Sequence, residues 1–242
     1  MTEIKYDEFG PEIVMQVYDA KTGMRGFTVV DNTAIGIGKG GMRLVQNVTV
    51  DEVRRLARAM TWKNSLAEIP FGGAKSGIVG DPARKTELVR AFAEKIRTLI
   101  PDKYCAGPDI NTTEEEMRVF ADTIGDKRAC TGKPAAMGGL PHELGSTGFG
   151  VAHSTFVTLE LMKMPVEGAT IAIEGYGNVG TFAHKFLTER GAKVVAVSDS
   201  KGTIYDANGL DYEKLMETKK TMKTVTAYKN GSAKVLPAGD LF

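Results

Sequence analysis

The chain has 242 residues, 42% apolar and 25% charged, which excludes a disordered polyelectrolyte and leaves room for one large or two modest domains. Thirty-one Lys and Arg against thirty Asp and Glu leave a formal net charge of +1, so nothing requires a nucleic acid or another polyanion as partner. Cys105, Cys130 and the scattered His142, His153 and His184 lack disulfide-framework or metal-ligand spacing. No signal-like segment or membrane-length apolar run of ~20 residues occurs, so a cytoplasmic protein without metal or membrane partner is expected.

In chain order, 12–18 and 26–31 are β-rich runs around a turn sequence at 19–23, which predicts a hairpin. Thr49 followed by Glu52 reads as a reciprocal capping box opening a helix near Val50. At about 100° per residue, Val53, Leu56, Ala57 and Met60 fall on its apolar face, with Arg54, Arg55, Arg58 and Trp62 elsewhere. The glycine-rich segment 70–77 reads as a break, 83–99 as a second helix, 104–110 as a short strand, and Thr112 or Thr113 as the cap of a third helix. Residues 131–150 read as a glycine- and proline-punctuated crossover. Beyond it come a helix over 149–162, a strand over 170–174, a glycine turn, a helix over 181–190 and a strand over 193–198.

Gly175-Tyr-Gly177-Asn-Val-Gly180 matches the dinucleotide fingerprint G-x-G-x-x-G, a weak signal when it stands alone. Here it follows a strand, opens a helix and precedes Asp199, at the end of the next strand, by the expected ~20 residues. Gly175 would make the tight turn, Gly177 would let amides approach a pyrophosphate, and Gly180 would allow close helix–strand packing. Asp199 suits the free 2′-hydroxyl of NAD, whereas Ser198, Ser200 and Lys201 suit a 2′-phosphate, so NAD and NADP both stay open.

Four further polar residues stand out. Lys39 is flanked by glycines, which fits either a solvated loop lysine or an approachable ligand-binding one. Lys63 lies beside Leu56 on the apolar side of the first helix, where it must either extend outward to solvent or find a partner. Lys75 sits in Gly72-Gly-Ala-Lys-Ser-Gly77, with little bulk around it and room for a ligand. Asp109 sits at a strand end, in a position equally suited to a turn.

Taken in order, Lys39-Gly-Gly-Met-Arg43, Met60-Thr-Trp-Lys63, Pro70-Phe-Gly-Gly-Ala-Lys75, Pro108-Asp-Ile-Asn-Thr112, Thr131-Gly-Lys-Pro134 and Gly175-Tyr-Gly-Asn-Val-Gly180 resemble the signatures of the glutamate/leucine/phenylalanine/valine dehydrogenase family, glutamate dehydrogenases most of all. The resemblance implies an α/β protein: a mixed α/β substrate and oligomerisation domain over 1–144, then an incomplete Rossmann-like domain over 145–242 that relatives continue further. It implies reversible NAD- or NADP-dependent oxidative deamination of an amino acid by a homo-oligomer, a hexamer or octamer. Lys75 would be the catalytic lysine and Asp109 its acid/base partner. Lys63 would hold the substrate α-carboxylate and Lys39 a side-chain carboxylate, with Thr131 also at the substrate. Thr147, Gly175, Gly177, Asn178, Val179, Gly180, Asp199 and Ser200 would hold the cofactor. Lysine at position 39 favours glutamate, since an apolar substrate tail would leave a buried ammonium unpaired. Against that, Glu143 stands where many glutamate dehydrogenases have arginine, and the short N-terminal region is more like leucine dehydrogenases. Leucine or another amino acid, or a non-catalytic binding subunit, therefore stay as alternatives.

Overall fold

The computed structural model describes residues 4–140, 144–237 and 239–240. The chain divides into two compact units, Met1–His142 and Glu143–Phe242.

In the first unit, strands β1 (Ile13–Asp19), β2 (Met24–Asn32), β3 (Gly38–Val45), β4 (Gly72–Val79) and β5 (Tyr104–Pro108) form one sheet in the order β1-β2-β4-β3-β5. The first pair is the expected antiparallel hairpin, β2 and β4 are antiparallel, and β3 runs parallel to both β4 and β5. Period-2 alternation separates the faces. Val30, Met42, Leu44, Ala74, Ile78, Tyr104 and Ala106 join the core formed with α2 (Lys85–Ile96) and α3 (Glu114–Ile124). Val29 instead packs with Val53 and Ala57 of α1 (Val50–Leu66) on the opposite face.

Glycines set how closely these layers approach. A Cβ on Gly26 would stand 2.5 Å from the Phe92 ring, and one on Gly73 would stand 2.0 Å from Thr61 Oγ1. Phe92 is fully buried by that approach, a burial that contributes roughly 2–3 kcal/mol. On the other face, α1 lies directly on β4.

Several readings of the sequence are corrected here. The segment 70–77, read as a break, runs into strand β4, and of the alternatives for Lys39 the solvated loop is excluded because it lies in strand β3. The two strands are parallel neighbours inside the sheet, and their glycines serve close packing rather than chain reversal. Thr49 caps α1 by accepting from the Glu52 amide at 3.2 Å, but the box is not reciprocal: the Glu52 carboxylate is drawn to Arg43, at 2.6 Å. At α3 the box is complete, with Thr113 as its cap residue. The buried stripe of α1 runs Val53, Ala57, Thr61 and Asn64, leaving Lys63 exposed rather than on the apolar face. Nor does Arg58 simply point outward. Its guanidinium donates to the buried Asp31 of β2 and to Asp7, and it lies against the rings of Phe9 and Trp62, which meet edge to face.

The second unit contains α4 (Ser146–Leu161), β6 (Thr170–Ile173), α5 (Asn178–Glu189), β7 (Lys193–Asp199), β8 (Gly202–Tyr205), α6 (Tyr212–Met222) and β9 (Lys234–Leu236). Its sheet order is β6-β7-β8-β9; β6 and β7 are parallel, the other pairs antiparallel. This is the β-α-β start of a dinucleotide-binding fold. Helix α5 begins at Asn178 rather than Thr181, because the glycine turn feeds straight into it. Phe156, Ala183, Leu187, Val194, Val197, Ile204 and Leu215 share one core. No helix among the described residues is long and apolar enough to cross a membrane.

Candidate active site

In the first unit, Lys39, Gly41 and Arg43 project from one face of β3, and the β4 and β5 registers bring Gly73 and Cys105 beside Lys39 and Gly107 beside Gly41. Lys75 of β4 and Asp109, just beyond β5, meet there: the ammonium donates to Asp109 Oδ2 at 2.6 Å, and Lys75 is only 8% exposed. Arg43 Nε reaches the same oxygen at 3.3 Å.

The Asp109 loop is held from several sides. Thr112 Oγ1 accepts from the Asp109 amide at 2.8 Å and donates to the Met42 carbonyl at 2.7 Å. The Asn111 side chain donates to the Leu44 carbonyl from a left-handed backbone (φ 61°), a conformation asparagine tolerates. Burial by itself would raise the Asp109 pKa, but the Lys75 hydrogen bond and the charges of Lys75 and Arg43 outweigh it and hold the carboxyl below its usual range. The resting group is therefore an ionised acceptor.

Lys39 donates to the Ala106 carbonyl at 2.9 Å, and the Thr131 amide donates to the same oxygen, also at 2.9 Å. Burial, helped by the nearby charges of Lys75 and Lys63, depresses the Lys39 pKa. An ammonium so placed gains from an arriving anion. A Cβ on Gly107 would lie 2.7 Å from Lys39 Nζ and 3.5 Å from Thr131 Oγ1, so that glycine leaves the space into which the lysine extends. Lys63 is exposed in the last turn of α1, and its charge is felt at Lys39.

Sequence reasoning gave no role in the site to Arg43, Gly41, Gly107 or Lys133, and offered Thr112 only as a helix cap, whereas it holds the Asp109 loop. Strand alternation from Lys39 would have found Gly41 and Arg43. Lys133 is 8% exposed and donates to the Cys130 carbonyl, a pairing no local pattern signals. Burial raises both cysteine pKa values, that of Cys130 to about 12, so neither thiol is a nucleophile at neutral pH.

In the second unit, Gly175 adopts φ 86°, and a Cβ on Gly180 would stand 2.0 Å from the Gly175 carbonyl oxygen. Gly177 has open space where a side chain would be, and no side chain caps α5, so the amides of Asn178, Val179 and Gly180 at its first turn suit a pyrophosphate. Ser198 Oγ accepts from the Gly175 amide at 3.3 Å, tying the turn to β7. Tyr176, between the two glycines, is buried with its hydroxyl 2.7 Å from His184 Nδ1; burial pushes the His184 pKa down to about 4. Thr147 is exposed in the first turn of α4, next to Gly148, where that helix touches Val179 and Phe182 of α5.

Ser200 is exposed at the β7–β8 turn. Asp199 ends β7 with its carboxylate already engaged by Lys219, Lys201, Thr224 and Val225. Burial would raise its pKa, and those hydrogen bonds with the Lys219 charge lower it below the usual carboxylate range. Glu143, and most of the 140–143 loop in which the sequence departs from the glutamate dehydrogenase pattern, lie outside the described residues.

Residues 11–126 match the family model described as "Glu/Leu/Phe/Val dehydrogenase, dimerisation domain", and residues 138–242 match "Glutamate/Leucine/Phenylalanine/Valine dehydrogenase". The chain belongs to this family. A glutamate dehydrogenase of Aeropyrum pernix is 43% identical over 218 residues, covering 85% of this chain and 52% of that protein. An NADP-specific glutamate dehydrogenase of Saccharolobus shibatae is 38% identical over 218 residues, covering 85% of this chain and 52% of the relative. Among solved structures, the hetero-hexameric glutamate dehydrogenase of Thermus thermophilus in its leucine-bound form is similar with a TM-score of 0.80 and 28% identity, over 91% of this chain and 58% of that one. The chain thus spans about half the length of the curated relatives it matches.

Proposed function

We propose that this chain is part of an NAD- or NADP-dependent amino acid dehydrogenase that deaminates L-glutamate reversibly to 2-oxoglutarate and ammonia, and that it works in the cytoplasm as a homo-oligomer. The observation that carries this reading is the Lys75–Asp109 contact of 2.6 Å on the same sheet face as Lys39. A bound NAD or NADP supplies the hydride acceptor. Gly175, Gly177 and the first-turn amides of α5 would hold its pyrophosphate.

Within the first unit, Lys39 suits the side-chain carboxylate of glutamate, since its ammonium is desolvated and has donors to spare beyond the Ala106 carbonyl. Lys63, exposed but close enough to influence Lys39, suits the α-carboxylate. Fixing both carboxylates orients Cα, and such positioning accounts for much of a catalytic effect. Asp109 begins ionised and therefore accepts a proton first, becoming an acid afterwards. Lys75 hands its proton to the Asp109 carboxylate in contact with it, and the resulting free amine takes a proton from the water that attacks the substrate imine.

The test is dinucleotide reduction by the full-length gene product with glutamate, leucine and aspartate, each with NAD and with NADP. Turnover confined to glutamate is expected. Turnover of leucine instead would mean that Lys39 does not meet the substrate tail, and no turnover with any pair would favour a non-catalytic binding subunit. Lys75→Ala is expected to abolish turnover and leave dinucleotide affinity within about threefold, the effects lying in separate steps.

A further inference from the structure

The Asp199 carboxylate has no acceptor position left for a ribose. An ionised carboxylate offers about four lone-pair positions. Here Oδ1 accepts from the Lys201 amide at 2.9 Å and from Thr224 Oγ1 at 3.3 Å, while Oδ2 accepts from Lys219 Nζ at 2.6 Å and from the Val225 amide at 2.8 Å. The side chain is only 8% exposed. An acidic residue at this strand end selects NAD by accepting from the ribose 2′-hydroxyl, and repels a 2′-phosphate by its charge. Asp199 can do neither, because its acceptors fasten the segment after α6 to the end of β7 and Lys219 compensates its charge.

The surroundings are cationic. Lys219 and Lys220 occupy the last turn of α6, and Lys223 follows it in a left-handed conformation (φ 57°), adjacent to Thr224. Lys201 follows the exposed Ser200 at the β7–β8 turn, while the acidic Glu213 and Glu217 lie earlier along α6. Lysines in a last helical turn also complement the helix dipole, and for Lys220 that explanation suffices. It does not explain why Lys219 is folded onto Asp199.

We propose that Lys219, by neutralising a saturated Asp199 and presenting its ammonium at the end of β7, makes the adenosine end of the cradle a site for a 2′-phosphorylated dinucleotide, so that the protein prefers NADP to NAD. The inference rests on the dinucleotide-binding part of the function proposed above and selects one of its two cofactors. Ser200, at the same turn, is the neutral hydrogen-bonding group available to the phosphate.

The experiment is equilibrium binding of NADPH and of NADH, followed by nicotinamide fluorescence, to the full-length gene product and its Lys219→Met and Lys219→Arg variants. The unsubstituted protein is expected to bind NADPH at least about tenfold more tightly than NADH, as a charge-selective contact would give. Lys219→Met should weaken NADPH about tenfold or more and leave NADH unchanged or tighter, because Asp199 is then both charged and partly free; Lys219→Arg should restore the preference. Tighter binding of NADH by the unsubstituted protein would overturn the proposal, as would equal weakening of both dinucleotides by Lys219→Met. Binding of neither by the unsubstituted protein would remove the dinucleotide reading itself, and this inference with it.

Discussion

A Cβ added at Gly41 would stand 2.8 Å from the Asp109 Cβ and 3.1 Å from Lys75 Nζ, so the ion pair needs a glycine opposite it as much as it needs its two charges. Gly41→Ala is expected to lower kcat about a hundredfold through displacement of the pair, with a far smaller loss of folding stability. Comparing kcat with the urea midpoint checks this; an unchanged kcat would mean that the pair is not the reacting group. The pH response of Asp109 follows from its depressed pKa. Its stabilising contribution is fully present above the unfolded-state value, near 3.8, and disappears as the pH falls through the lower folded value, so Asp109→Asn should flatten the acid limb of the first unit's unfolding below pH 3.8. His184 acts over a different window. Being buried and neutral, it binds a proton more readily when unfolded, so between about pH 6.5 and about pH 4 falling pH destabilises the second unit by up to roughly 3 kcal/mol. Unfolding midpoints that stay constant across that window would refute this. At this scale the sequence showed Lys39, Lys75 and Asp109 as residues of interest, but it placed Lys63 on a buried face. The helical phase was right and the centre of the stripe wrong, because the polar Thr61 and Asn64 are buried by hydrogen bonds to Asp31 and to the Gly72 carbonyl, which an apolar count ignores.

At the scale of elements, the least legible parts were the central strands β3 and β4. Their sequences are rich in glycine, which lowers strand propensity, yet Gly40 and Gly73 are fixed by contact: a Cβ would fall 1.6 Å from the Ala74 carbonyl oxygen in one case and 2.3 Å from the Thr61 amide nitrogen in the other. Gly73→Ala should therefore force α1 off β4 and cost about 1–3 kcal/mol in chemical denaturation, where an exposed strand glycine would tolerate or gain from the change. The helix caps can be ranked in the same way. Thr113→Ala removes a reciprocal box and should cost about 1 kcal/mol, more than Thr49→Ala, whose Glu52 is engaged by Arg43 instead. Equal losses from the two substitutions would contradict the geometry. The hairpin and the β-α-β start of the second unit were readable because turn residues, alternation and the glycine fingerprint agree with one another there.

On the scale of the whole molecule, two units carry two kinds of group: clustered lysines with a Lys75–Asp109 ion pair in the first, an uncapped helix start beneath a glycine turn in the second. The model matching residues 11–126 is described as a dimerisation domain, and the Thermus thermophilus relative is described as hetero-hexameric. In the first unit β1 forms an edge of the sheet, pairing within the chain only with β2 among the described residues. An exposed strand edge invites pairing. We therefore expect light scattering on the full-length gene product to give a mass that is a whole multiple of the monomer; a monomeric mass at micromolar concentration would count against the oligomeric part of the proposed function.

Glycine spacing, capping threonines, strand alternation and the order of six short motifs determined the fold class, the family and most of the candidate residues, because each depends on backbone conformation or local geometry that a linear pattern records. Tertiary structure alone decided that Lys75 lies on a buried central strand, that Arg43 competes for Asp109, that Lys63 is exposed and that Asp199 has its acceptors filled. Each of those facts depends on partners distant in sequence: Lys75 and Asp109 are brought to 2.6 Å by strand register, and Asp199 meets Lys219 and Val225 only once α6 folds back to the end of β7. A sequence supplies the charges, whereas the distances and desolvation that set their chemistry exist only after the chain has closed on itself.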